Sequence, residues 1–206
     1  MSKSLNTLIA GLLLASTGHA FAASSVDLSV KGSITPSACT PTLSNSGVID
    51  HGKLSAKDLS PTSPTTLGIS PLTMEVSCDA ATLFALRGID NRAATSNSIY
   101  NYGLGLINGT QKLGWFWMTL ENPIADNDPV RLITSWDGST WSPDLTFWYA
   151  GLWAGFAAAD DLTLPIAIQK LTAQIKVRTV VVATNSLDLS NEVAIDGSAT
   201  MEVKYL

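Results

Sequence analysis

With 12 Lys and Arg against 17 Asp and Glu, the 206-residue chain has a formal net charge of −5. That balance argues against nucleic acid or an anionic membrane surface as partner, since both are held by clustered cations. Charged residues make up only 14% of a chain that is 46% hydrophobic, so its surface is either rich in uncharged Ser, Thr and Asn or covered in part by a partner.

Residues 1–22 read as a signal peptide. Lys3 supplies the positive start, residues 8–15 the apolar stretch, and Ala20-Phe21-Ala22 the small-x-small cleavage site. The apolar stretch is too short for a bilayer of about 30 Å, which takes about 20 residues, and no second run of that length follows. The expectation is an exported chain in which residues 23–206 form one domain. Its two cysteines are Cys39 and Cys78. An even count in an exported chain favours one disulfide over two free thiols. Two cysteines so far apart do not suit a metal site, which needs three or four clustered ligands.

Beyond the leader the pattern is β throughout. Val26, Leu28, Val30 and Ile34 share one face at period two until Pro36 stops the strand. Residues 47–50 make a strand–turn section, and Ser60-Pro61-Thr62-Ser63-Pro64 is loop chemistry. Alternation returns over residues 72–78, with a further strand at 83–86. Asp137-Gly138, between Trp136 and Trp141, signals a hairpin because Asp-Gly supplies the positive φ of a tight primed turn. Residues 171–177 alternate into the β-branched run 179–182, and residues 198–206 alternate to the end. Only residues 160–170 have room for a short helix, and Pro165 weakens it. Short strands separated by turns predict an all-β fold, an antiparallel sandwich or barrel.

Few residues suggest chemistry. His51 is the one histidine outside the leader, and no Gly-x-Ser-x-Gly elbow accompanies it. Asp126, Asp128, Asp160 and Asp161 lie in loop-like stretches without EF-hand spacing. No Gly-rich phosphate loop is present. The expectation is a protein without catalytic residues, metal or cofactor. All six tryptophans fall between Trp115 and Trp153, which invites a sugar-stacking reading centred on Trp136 and Trp141. Core strands at residues 114–118 and 147–149 are the competing explanation.

Four segments resemble pilin subunits of the chaperone–usher pathway: Val30-Lys31-Gly32-Ser33-Ile34 leading to Cys39, Asp50-His51-Gly52, Met74-Glu75-Val76-Ser77-Cys78, and the C-terminal strand with penultimate Tyr205. A second resemblance, through Phe84-Ala85-Leu86, Asp90-Asn91-Arg92 and Tyr102-Gly103-Leu104-Gly105, is to fimbrial-like exported bacterial proteins of unassigned function. The pilin resemblance implies an incomplete immunoglobulin-like antiparallel β-sandwich with one disulfide. Its missing last strand leaves a groove, filled first by a periplasmic pilus chaperone. At the outer-membrane usher, the N-terminal extension of a neighbouring fibre subunit then takes the chaperone's place. Ala199, Met201, Val203 and Tyr205 would line the groove, and Val26, Leu28 and Val30 would be donor-strand residues. The implied function is a structural or minor subunit of a cell-surface fimbria that contributes to adhesion, located in the periplasm during assembly. The alternative is a self-contained exported binding module that recognises a glycan or surface ligand through its aromatic block. Two departures stand out. Only Ala23 to about Asp27 precede the strand that matches the pilin body, and Val193 stands near where the family carries a glycine upstream of Gly197.

Overall fold

The computed structural model describes residues 28–30, 38–143 and 146–206, and its regular elements there are strands apart from three single 3-10 turns. The chain separates into two units, Met1–Ile34 and Thr35–Leu206. The signal peptide and Val26 lie outside the described residues. Leu28 and Val30, in the first unit, belong to no strand and are exposed, so the strand expected over residues 26–34 is absent at both positions.

Two long strands organise the second unit. β2 (Thr65–Asp90) and β11 (Ala167–Val181) run antiparallel. Their register follows from two apolar stripes at period two: Leu72, Met74, Val76 and Cys78 are buried on β2, and Leu171, Ala173, Ile175 and Val177 on β11. β1 (Cys39–Leu43) covers the far edge of β2 and β6 (Gly114–Ala125) the far edge of β11. The short β3 (Tyr102–Gly103), β7 (Asp128–Pro129) and β9 (Phe147–Trp148) pair with β6 and complete the first sheet.

β2 then changes sheets. Its ladder with β11 shifts register between Ile168 and Lys170, opposite residues 77–82. There the Asp126 carboxylate accepts the N–H groups of Gln169 at 3.2 Å and Lys170 at 2.7 Å, so the break leaves these donors satisfied. The C-terminal part of β2 enters a second sheet between β12 (Ala199–Tyr205) and β10 (Trp153–Ala157), with β8 (Arg131–Ser135) outside β10. β4 (Leu106–Ile107) and β5 (Gln111–Lys112) form a separate small hairpin. Because one strand serves both sheets, the two strands expected at residues 72–78 and 83–86 are a single element.

The result is an antiparallel all-β sandwich with one disulfide, the class expected from the residues. Cys39 and Cys78 are direct partners in the β1/β2 register. Asp79 N–H donates to the Ala38 carbonyl at 3.0 Å, so the neighbouring pair is the hydrogen-bonded one and the cysteines occupy the closer, non-hydrogen-bonded site.

Three local expectations change. Residues 47–50 make no strand, because Asn45, Ser46 and Gly47 take φ of 53°, 52° and 73° and turn the chain out of β1's ladder. Residues 160–170 hold no helix; β11 already begins at Ala167, where burial of Ile168 sets the strand pattern. The Asp-Gly turn is wider than a two-residue hairpin. It closes at the bridge between Thr134 and Ser142, with the Asp137 carboxylate accepting the N–H groups of Ser139 and Thr140, each at 2.8 Å.

Candidate functional site

β1 and β12 both pair with β2, but in different sheets, so among the described residues each leaves its other edge without a ladder partner. A line of three cavities starts between these edges. The first, of 400 Å³, lies between β1 and β12 and reaches Met74. The second, of 230 Å³, shares Leu43, Ala199 and Met201 with it and is lined further by Leu72, Phe116, Met118 and Val177. The third, of 610 Å³, shares Ile49, His51 and Ile195 with the second and lies between residues 49–54 and 189–195. Linked by these shared residues, the three form a groove whose first two parts are lined mainly by apolar side chains and whose third also carries Asp50, Lys53, Asn191 and Glu192.

Three contacts cross this groove. At one end the Cys39 backbone N–H donates to the Tyr205 hydroxyl at 2.8 Å. At the other the Lys53 ammonium lies 3.1 Å from Glu192, both side chains more than four-fifths exposed, a pair that water screens to little energy. Between them His51 Nε2 shares a hydrogen bond of 2.9 Å with the Thr179 hydroxyl. The approach to β12 is held from outside. Arg92 clamps Asp196 through two bonds of 2.9 and 2.8 Å, which holds the Asp196 carboxyl below the usual carboxylate range and raises the guanidinium above its own. The next residue, Gly197, passes so close over Leu104 and Phe116 that a Cβ would stand 2.9 Å from the Leu104 side chain.

The sequence candidates fall into place unevenly. Ala199 and Met201 line the groove, Val203 packs half-buried against the core, and Tyr205 is 42% exposed and closes the end. Of the donor-strand candidates, Leu28 and Val30 are exposed in the first unit, and Val26 lies outside the described residues. Sequence reasoning missed the wall formed by residues 187–195. Leu187, Leu189, Val193 and Ile195 are half-buried against the core although no ladder holds them. Their period-two spacing was the available signal. It also missed Thr179, a hydroxyl at the end of the inward row of β11.

The aromatic block divides in two. Phe116 and Trp148 are buried in the core, while Trp117, Phe147 and Tyr149 form a ladder of near-parallel rings, with centroids 4.8 and 5.9 Å apart. Arg178 covers Trp117 at one end, and Trp136, 55% exposed, stacks on Tyr149 at the other. Trp141 is used differently: its ring lies against Gly155 of β10, where any Cβ would meet it at 2.7 Å. The two candidate stacking residues therefore do not form one surface.

Among the described residues no three His, Cys, Asp or Glu side chains cluster as metal ligands, and no helix is long and apolar enough to cross a membrane. What the groove offers physically is two strand edges without ladder partners among the described residues, beside cavities lined in part by apolar side chains. That is a seat for an extended chain with alternating side chains.

Residues 28–112 match the family described as "Protein of unknown function (DUF1120)". The chain is 27% identical to Protein GltF of Escherichia coli K12, across 99% of this chain and 98% of that protein. It is 25% identical to the uncharacterized protein YhcF of the same strain, across 90% of this chain and 92% of the relative. These likenesses agree with the resemblance to bacterial proteins of unassigned function.

Proposed function

We propose that the chain is a structural or minor subunit of a chaperone–usher-type surface fibre, assembled by β-strand donation and contributing to adhesion. The observation that carries this reading is the apolar groove between the unpaired edges of β1 and β12. An open pair of strand edges over apolar side chains is an aggregation hazard unless something fills it. In this reading a periplasmic pilus chaperone fills the groove first. A neighbouring subunit's N-terminal strand replaces it at the outer-membrane usher, and the chain ends on the cell surface. Among the described residues the first strand is β1, which starts at Cys39, and in this reading the segment that follows the leader supplies the extension.

The test is a denaturant melt of the oxidised, exported protein, with and without a twelve-residue peptide carrying valine at alternate positions. Binding to the native state raises the midpoint. A high midpoint indifferent to any such peptide would mean a closed sandwich and would end the proposal.

A second reading keeps one specific support, the exposure of Trp136 at the end of the ring ladder, where it packs against Tyr149 and Tyr100. In that reading the chain binds a glycan there. A glycan array whose signal survives Trp136→Ala, or that gives no signal, removes it.

A further inference from the structure

Among the buried side chains that line the 230 Å³ cavity, all but one are apolar. The inward row of β11 runs Leu171, Ala173, Ile175, Val177 and then Thr179, which is only 4% exposed. A hydroxyl so deeply buried needs a partner, and His51 provides one at 2.9 Å. His51 lines both the 230 Å³ and the 610 Å³ cavities, and Thr179 lines the first of these. The pair therefore sits where the two cavities join, on the path that the strand-acceptor reading gives to an added strand. A threonine hydroxyl offers one donor and two acceptor sites, and an imidazole has a second nitrogen. Among the described residues neither group has any other hydrogen-bond partner, so the pair retains capacity for a third group.

We propose that the His51 and Thr179 pair selects the strand that fills the groove, which is an extended segment with an apolar inward row interrupted by one Ser, Thr or Asn seated over the pair. This rests on the strand-acceptor reading above and deepens it. An apolar side chain there covers two polar groups without answering them, whereas a hydroxyl completes a three-membered network. Over the cavities beside Leu43 and Met201 the preference reverses, because the buried side chains there are the apolar Leu72, Met74 and Met118, while Thr42 and Ser46 are exposed to water, and a hydroxyl buried there is a loss. The chain's own residues 26–34 would present Val26, Leu28, Val30, Gly32 and Ile34 in such a row, with Ser24 ahead of its first apolar residue. No hydroxyl interrupts that row from within, so a donor from a different protein that carries one internally fits better than a second copy.

The experiment moves a single threonine through the inward positions of the alternating valine peptide and measures each affinity for the oxidised protein. Threonine is nearly isosteric with valine, so the scan reads the hydroxyl and not the volume. The expected result is one internal position where threonine binds at least as well as valine, and a loss of about tenfold or more at the others. Thr179→Val, which keeps the shape of the side chain, should remove the exception, so that threonine is disfavoured everywhere. If threonine weakens binding equally at every position of the unmodified protein, the selection is refuted while strand acceptance stands. If no peptide of the series binds, strand acceptance itself is refuted and the selection falls with it.

Discussion

Met201 distinguishes a groove wall from a core side chain, and Met201→Lys makes the difference measurable. Its side chain is half-buried and lines two of the three cavities from the unpaired edge of β12. In the unfilled protein a lysine stem can lie along the same apolar surface while its ammonium stays in water. The change in folding stability is then small, within about 1 kcal/mol, as for substitutions outside the packed core. Once a strand covers the groove, the ammonium must be buried without a partner, at an effective cost of several kcal/mol. A loss of even 2.7 kcal/mol weakens peptide binding about a hundredfold. The assay is a thermal melt with the alternating valine peptide at 100 times its dissociation constant for the unmodified protein. The unmodified protein gains about 2.7 kcal/mol from ligand, which at this chain length raises the midpoint by roughly 5–11 °C. Met201→Lys should melt near the unmodified protein and show almost no rise, whereas Met201→Leu, which conserves volume, should keep most of it. A full peptide-induced rise in Met201→Lys would show that the added strand does not pass over this residue. Collapse of the variant without peptide would show that Met201 belongs to the closed core.

Further outcomes follow from other parts of the structure. Replacing Cys39 and Cys78 by Ser opens a link between residues 39 apart in sequence and should cost about 4 kcal/mol in the chain-entropy model; a denaturant midpoint that barely moves would contradict it. Gly88→Ala forces a Cβ against the Tyr102 hydroxyl, on a ring held with no solvent exposure and donating to the Trp148 carbonyl. Overpacking there should destabilise by roughly 1–3 kcal/mol, read from the same melt, and an unchanged midpoint would mean the ring can move aside. The Asp137 carboxyl is held below the usual range by the N–H groups of Thr140 and Ser139 and the Ser135 hydroxyl. A lowered folded-state pKa contributes stability that is present above the unfolded value and lost as pH falls through the folded one. Asp137→Asn should therefore flatten the acid limb of the stability profile below about pH 5 while leaving the groove's peptide affinity unchanged.

Much of the fold was legible because its strands carry their burial in period two. The rows from Leu72 to Cys78, from Leu171 to Val177 and from Ala199 to Tyr205 each appear as alternation, and each is a strand or part of one. The disulfide followed from the cysteine count and from the export expected of the leader. The misses share a cause: where backbone groups are satisfied by side chains or turns, no period marks the segment. Residues 44–47 leave β1 through left-handed residues, and the Asp126 carboxylate replaces ladder bonds at the break in β11. The aromatic block was ambiguous because a ring's identity does not say which side of a strand is covered. Phe116 and Trp117 are adjacent, and one lies in the core while the other lies in the exterior ladder.

By itself the sequence determined the strand class, the cysteine pairing and the apolar face of the last strand, since these depend on local spacing and residue chemistry. Only the tertiary structure decided that β2 belongs to two sheets, that β1 and β12 therefore face each other unpaired, and that His51 meets Thr179 beneath them. The reason is physical. An edge is open only in relation to strands far away along the chain, and residues 51 and 179 have no common local pattern until the sandwich brings them within one hydrogen bond.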